Sequence, residues 1–159
     1  SGSKGIQLID LGGEVSGLQE VIDYAFKFSR KGKVIVEEFV EGENCSIDGF
    51  INNGVVDLLC ITNKLLTPLP YRTPVGHTVP SKLSNDLQEL VKMNVERILS
   101  LLGVQTSPFD LDIIVTRDKK VYILEMSLRI GGNGIPKLIF YSLAISYLRK
   151  QLHQHEVIS

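Results

Sequence analysis

Apolar and polar residues alternate along two stretches near residue 115, and this alternation predicts a β-hairpin. The runs FDLDIIV and VYILEM are rich in β-branched and aromatic residues and flank a polar turn. A two-residue turn at Asp118–Lys119 pairs Thr116 with Val121. Continuing the same ladder places Asp112 directly opposite Glu125. The pattern therefore predicts two carboxylates side by side on neighbouring strands.

The same alternation predicts which face of the hairpin is buried. The core face would carry the apolar side chains of Leu111, Ile113, Val115, Tyr122, Leu124 and Met126. The opposite face would carry Asp112 and Glu125, extended by Asp110, Ser127 and Arg129. Directly opposite residues have Cβ atoms about 4.5–5.5 Å apart, and two carboxylates held that close repel one another unless a cation lies between them. Mg²⁺ prefers such oxygen ligands. An ordinary solvated sheet face gives the same pattern, but the glycine-rich stretch that follows, Gly131–Gly134, favours a ligand site.

The rest of the chain shows a mixture of helical and strand periodicity. Apolar residues at helical spacing predict three helices: one from Ser16 to about Lys31, one over Leu87–Leu102 that ends at Gly103, and one from Pro136 to about Gln151. Alternating or β-branched runs predict strands at Ile6–Leu11 and Lys33–Val40, and a hairpin that turns at Asn52, Asn53 and Gly54. Between these lies a long proline-rich loop, Leu66–Leu83.

Composition narrows the class of protein. With 159 residues, 43% of them apolar, and a formal net charge of −1, the chain has enough material for a core. We find no basic patch for nucleic acid and no run approaching the roughly 20 apolar residues of a membrane span, so neither partner is expected. Cys45 and Cys60 lack metal-ligand spacing and are interpreted as buried thiols of a cytoplasmic protein. Asp48 and Asp57 are interpreted as structural.

Four segments, in order, resemble the ATP-grasp superfamily of carboxylate–amine and carboxylate–thiol ligases: SGSKG, VEEFVEGENCSIDGF, GHTVPS and LEMSLRIGG. The resemblance covers nearly the whole chain. It implies an α+β fold in which residues 37–159 form the C-terminal ATP-grasp subdomain, a mostly antiparallel sheet with covering helices. Residues 1–36 would be the end of the smaller subdomain with its glycine-rich phosphate loop. An upstream substrate domain is then expected to belong to the same ligase.

The resemblance also implies a nucleotide site. The flexible loop over the ATP phosphates would be Ser1, Gly2, Ser3, Lys4 and Gly5, and the adenine would lie along Glu37, Glu38, Phe39 and Val40. Many relatives place a glutamate on the ribose seven residues after the first of these acids. Here that position is Asn44, preceded by Glu43, and either residue is a candidate. Lys64 is a candidate for a phosphate contact, and a solvated lysine is the equal alternative.

Metal and substrate residues follow from the same resemblance. Asp112 and Glu125 match the acids that bind Mg²⁺, or Mn²⁺ in its place, whereas Ser127 stands where an asparagine is common. Arg129 matches the arginine after it and is the candidate catalytic residue. The substrate would contact Gly131, Gly132 and Asn133. His77 is a separate candidate, for a base or a substrate contact, although a histidine in such a turn often only orders the loop.

The chemistry that the resemblance implies is ATP-driven formation of a C–N bond. A small-molecule carboxylate would attack the γ-phosphate of ATP, and an amine or another nucleophile would capture the acyl phosphate. The alternative is a binding or regulatory module that keeps the nucleotide fold without turnover, which the departures at Ser127 and Asn44 favour. The motifs leave the identity of the substrates and the oligomeric state open.

Overall fold

The computed structural model describes residues 5–9, 17–68, 72–132 and 134–156, with side chains as far as residue 145. The chain divides into two compact units, Ser1–Val40 with Leu65–Gly76 and Glu41–Lys64 with His77–Ser159. The division into residues 1–36 and 37–159 stays a prediction.

The elements are α1 (Leu18–Phe26), β1 (Glu43–Asn52), β2 (Val55–Leu66), β3 (Pro74–Thr78), α2 (Asn85–Leu101), β4 (Ser107–Val115), β5 (Val121–Ser127) and α3 (Ile135–Glu156). Five strands form one sheet in the order β3-β2-β1-β4-β5, and the pairs β1–β2, β1–β4 and β4–β5 are antiparallel. The α+β class with a mostly antiparallel sheet is therefore confirmed. β3 interrupts the loop that was predicted over residues 66–83, and α3 extends beyond its predicted end.

The described part of residues 1–40 contains less regular structure than its sequence predicts. Helix α1 follows Gly17, and its last turn tightens after Phe26, where the next amides bond to carbonyls three residues earlier. The predicted cap, Ser16, lies outside the described residues. The predicted strands are wrong in their described parts, since residues 6–9 and 33–41 form neither helix nor strand. Ile35 and Val36 are 80% and 75% exposed, as expected for β-branched residues that have no paired strand beside them in the described structure.

The turn between β1 and β2 has the predicted geometry. Asn52 pairs with Val55, so Asn53 and Gly54 form a two-residue turn. Their φ angles are 49° and 78°, as a type I′ turn requires at both central positions. The Gly54 N–H also donates to the Gln105 carbonyl at 2.8 Å. Local sequence therefore predicts this turn, and the contact with Gln105 adds to it.

Replacing Gly54 by alanine should destabilise the chain by about 1 kcal/mol, because a side chain at this positive φ is strained. The added methyl would meet only the Gln105 side chain, at 3.5 Å, so backbone strain is the expected cause. Urea unfolding of the variant measures the change. Asn52→Ala, at the neighbouring exposed strand position, should shift stability by less than about 0.5 kcal/mol. Equal effects of the two variants would contradict the turn assignment.

The hairpin of β4 and β5 has the predicted pairing of carboxylates, but the register of its strands next to the loop differs from the prediction. Val121 pairs with Val115, not with Thr116, because the Thr116 hydroxyl accepts the Lys120 N–H at 3.1 Å and keeps residues 116–120 in the loop. An irregularity after Asp112 then restores the predicted pairing of Asp112 with Glu125.

The longer loop and the bulge after Asp112 have a second consequence, for the face of β5. Tyr122 and Leu124 were predicted on the core face, but they are 37% and 55% exposed. Val121 and Ile123 pack against the core in their place. This part of the predicted core face is therefore wrong, while Leu111, Ile113 and Val115 are buried as predicted.

The core lies between one face of the sheet and α2. Helix α2 contributes Val91, Val95 and Leu99, and the sheet contributes Ile47 and Phe109, all with no exposed surface. The residues that alternate with these core positions along each strand lie on the opposite face of the sheet. In the described ranges no helix is long and apolar enough to cross a membrane.

Candidate functional site

The face of the sheet opposite α2 carries a first row of polar side chains. In the strand register, Ser46 of β1 lies between Thr62 of β2 and Asp112 of β4, and Asp112 lies opposite Glu125 of β5. The Ser46 hydroxyl donates to Asp112 at 2.7 Å. The Lys64 ammonium group forms an ion pair with the same carboxylate. Asp112 is thus held by two neighbours, while Glu125 is exposed and makes no hydrogen bond or ion pair with another described residue.

A second row lies two residues further along each strand. Here Asp48 of β1 pairs with Asp110 of β4, and Asp110 pairs with Ser127 of β5. Arg129 follows β5, and its Nη1 lies 3.7 Å from Asp110 Oδ2 and donates to the Ile130 carbonyl at 2.9 Å. The structure therefore brings Asp110, Ser127 and Arg129 together beside the first row, as the alternation predicted.

Asp48 is the residue whose place the sequence interpretation missed. Its side chain is only 6% exposed, and its Oδ1 accepts the Gly131 N–H at 2.9 Å. Its Oδ2 is buried without a hydrogen-bond partner in the described part of the chain. The alternation of SIDGF does place Asp48 on one face with Ser46, but only the pairing of β1 with β4 brings it beside Asp110.

Burial and like charge raise the pKa values of the two acidic side chains of the second row, Asp48 and Asp110. Burial, and after it the charge of Asp110, raises the pKa of Asp48 above its ordinary value. Burial and then the charge of Asp112 raise the pKa of Asp110 in the same direction. Crowded carboxylates of this kind favour a bound cation.

His77 lies at the β2 side of the same face. Its Nδ1 is 3.0 Å from the Thr62 hydroxyl, which has no exposed surface. Burial, followed by the charge of Lys64, lowers the pKa of His77, which favours the neutral imidazole. The contact with Thr62 orders the ring, and the role of His77 toward a substrate stays a prediction.

The donor set fits a magnesium ion that shares its coordination with phosphates. No group of three or more His, Cys, Asp or Glu side chains among the described residues could hold a metal by itself. Mg²⁺ usually takes one or two carboxylates and completes its shell with water and phosphate oxygens. Asp112 and Glu125 supply that pair, and Ser127 lies one position further on the same face of β5. These residues as metal ligands, for Mg²⁺ or Mn²⁺, remain a prediction that this geometry supports.

The two ribose candidates lie on opposite faces of β1. Glu43 accepts the Asn63 amide at 3.3 Å on the side of Cys45. Asn44 lies on the side of Ser46, and its amide donates to the Gly42 carbonyl at 3.0 Å. Only Asn44 therefore shares a face with the carboxylates.

The remaining predicted nucleotide residues belong to the first unit. Ser1, Gly2, Ser3 and Lys4 lie outside the described residues, and Gly5 lies in a turn with φ 79°. Glu37, Glu38 and Phe39 are exposed, and Val40 is half-buried, in the stretch without helix or strand. Their contacts with adenine stay predictions.

The glycine-rich stretch, residues 131–134, comes immediately before α3. The Gly132 carbonyl accepts the Ile135 N–H at 3.1 Å, and the Gly134 carbonyl accepts the Leu138 N–H at 3.1 Å. The Gly131 N–H is already donated to Asp48. Asn133 lies outside the described residues. The structure thus gives this stretch contacts within the protein, and its binding of a substrate stays a prediction.

Comparison with known families gives one match that covers most of the chain. A family model described as the ATP-grasp domain matches residues 14–137. The comparison with curated proteins finds no match.

Solved structures with a similar fold include three named synthetases, ligases or carboxylases. Phosphoribosylglycinamide synthetase from Anaerococcus prevotii is 25% identical, with a TM-score of 0.59 over 84% of this chain and 34% of that one. L-amino acid ligase from Bacillus licheniformis is 25% identical, with a TM-score of 0.55 over 61% of this chain and 25% of that one.

The third shows similarity of fold alone. It is the biotin carboxylase domain of 2-oxoglutarate carboxylase from Hydrogenobacter thermophilus, solved with magnesium ADP, ADP and bicarbonate. It is 16% identical, with a TM-score of 0.56 over 73% of this chain and 26% of that one. The chain spans about a third or less of the length of these structures.

Proposed function

Because the chain belongs to the ATP-grasp family, we propose that it carries the nucleotide and metal site of an ATP-dependent ligase. In the proposed reaction a carboxylate substrate is activated as an acyl phosphate and then joined to an amine. The observation that carries the proposal is the pairing of Asp112 with Glu125 on the face of the sheet opposite α2. The solved structures at 25% identity are named as a synthetase and a ligase, which supports the same class of reaction.

In this proposal the first row of polar side chains binds the metal and the nucleotide, and the second row binds the carboxylate substrate. In the first row, Asp112 and Glu125, with Ser127 beside them, would hold Mg²⁺ against the ATP phosphates. When bound, the ion supplies charge neutralisation and alignment of the phosphates. Lys64, whose ammonium group already lies against Asp112, would bind a phosphate oxygen. Asn44 lies on the same face and is the better placed of the two ribose candidates.

The second row would bind the carboxylate substrate. Arg129 is 62% exposed, so its guanidinium is accessible, and its planar fork matches a carboxylate. A substrate oxygen attacks the γ-phosphorus and ADP leaves. The amine nitrogen then attacks the acyl carbon, inorganic phosphate leaves, and the nitrogen loses a proton. Positioning and electrostatic stabilisation suffice for both steps, so no covalent nucleophile is required.

The test is an assay of ADP release by the full-length protein across a panel of amino acids and small carboxylates, with amine acceptors. We expect one class of carboxylate to stimulate release. Arg129→Ala should lower kcat/KM for that carboxylate about 10- to 100-fold, the range of a charge-assisted hydrogen bond. Arg117→Ala removes an exposed arginine of the β4–β5 loop and is the matched control, with less than a twofold effect expected.

A binding or regulatory module is the second candidate. It is favoured by Ser127 at the position where an asparagine is common, and by Asn44, whose amide already bonds to the Gly42 carbonyl. MgATP binding without any substrate-stimulated ADP release would support the module and contradict the ligase. Stimulated release that survives Arg129→Ala unchanged would contradict the role of Arg129.

A further inference from the structure

Two adjacent carboxylates contact the two ends of the segment Arg129–Gly131. Asp110 Oδ2 lies 3.7 Å from Arg129 Nη1, and Asp48 Oδ1 accepts the Gly131 N–H at 2.9 Å. Asp48 and Asp110 are themselves directly opposite each other on β1 and β4. The sheet thus places one carboxylate beside the guanidinium and bonds the other to the backbone two residues later.

The fit between Asp48 and Gly131 depends on the absence of a side chain at residue 131. A Cβ added there would lie 2.1 Å from Asp48 Oδ1 and 2.8 Å from its Cγ and Oδ2. The carboxylate therefore occupies the space that any other residue would fill. Such close packing sets the path of the chain as it leaves β5.

Because the Asp48 carboxylate is buried, it depends on the hydrogen bond from Gly131. A carboxylate that is 6% exposed loses most of its hydration, so the backbone N–H of Gly131 replaces part of it. The bond joins residues 83 positions apart. Asp48 lies under the segment, where it contacts Gly131 and leaves Arg129 exposed to a ligand.

We propose that Asp48 is a positioning residue for the substrate carboxylate: it fixes the backbone at Gly131 and, together with Asp110, orients the Arg129 guanidinium. The inference rests on the proposed ligase function, to which it adds a residue that acts through Arg129. Asp48 itself does not touch the reacting atoms.

The first test measures amide hydrogen exchange in this chain and needs no activity. In Asp48→Ala, exchange at Gly131 should rise about tenfold or more, with less than a threefold change at core amides such as Leu111. Asp48→Asn keeps an oxygen acceptor and should stay within about threefold of the wild type. Cys60→Ala shortens the side chain opposite Asp48 on β2 and is the matched control. Unchanged Gly131 exchange in Asp48→Ala would overturn the proposal.

The second test uses the full-length protein. Asp48→Ala should raise KM for the carboxylate about tenfold and change KM for MgATP less than twofold, with rescue by Asp48→Asn. Gly131→Ala should have a similar effect, and the double variant should be no worse than the more impaired single variant, because both changes break one contact. Additive effects, or equal changes in both KM values, would overturn the proposal. If the wild type lacks ligase activity, the exchange result still decides whether Asp48 positions the segment.

Discussion

Glu125→Gln is expected to reduce ATP turnover by the full-length protein about 1,000-fold or more. The substitution removes one of the two facing carboxylates, and charge stabilisation of a transferring phosphoryl group is worth several kcal/mol. Glu125 is exposed and makes no hydrogen bond or ion pair with another described residue, so the fold should be preserved. Steady-state ADP release measures the loss, and thermal unfolding checks the fold.

The comparison that isolates the metal role is with an exposed glutamate elsewhere. Glu96→Gln on α2 makes the same chemical change at an exposed position and should leave turnover within twofold. Mn²⁺ in excess should partly restore the Glu125→Gln rate if the defect is weak metal binding. A wild-type rate in Glu125→Gln would contradict the assignment of the metal site to this pair.

Phe109→Ala is expected to destabilise the chain by about 3–5 kcal/mol, the range for removing a buried aromatic ring. Phe109 has no exposed surface and is the largest of the fully buried side chains in the described part of the chain. Its ring lies over Gly49, where an added Cβ would be 2.2 Å from the ring Cζ. Glycine has no side chain to fill the cavity, so the cost should reach the upper part of the range.

Chemical denaturation measures this effect, with Phe50→Ala as the control. Phe50 is the next residue after Gly49 and is 38% exposed, so its loss should cost about 1 kcal/mol or less. Phe109→Leu gives a folded intermediate case if the alanine variant does not fold. A smaller loss in Phe109→Ala than in Phe50→Ala would show that the core is centred elsewhere.

The sequence predicts best where structure is local. Asn53 and Gly54 select their turn by their own φ preferences. The Asp112–Glu125 pairing was also predicted correctly, although its loop was not. Periodicity does not predict the Thr116 hydroxyl contact that lengthens the loop, or the bulge after Asp112 that offsets it. The loop shifts the strand register by one residue and the bulge shifts it back. The predicted pairing therefore holds at Asp112, whereas the predicted face is wrong at Leu124.

The sequence is less informative where a contact joins distant parts of the chain. Asp48 looks like any polar strand residue until β1 is known to pair with β4. The run around Ile35 has strong β propensity, yet it forms no strand in the described structure, because pairing depends on a neighbour and not on composition. The place of Asp48 and the missing strand around Ile35 both depend on tertiary contacts, which cannot be predicted from a single sequence.

The strand order has a consequence for the speed at which this site appears during folding. β1–β2 and β4–β5 are hairpins with short loops, and each can form within microseconds. The polar rows exist only after β1 meets β4, which closes a long loop that includes α2. High contact order at that junction makes it a slow step. The complete polar rows therefore exist only in the assembled sheet, and neither hairpin alone presents them.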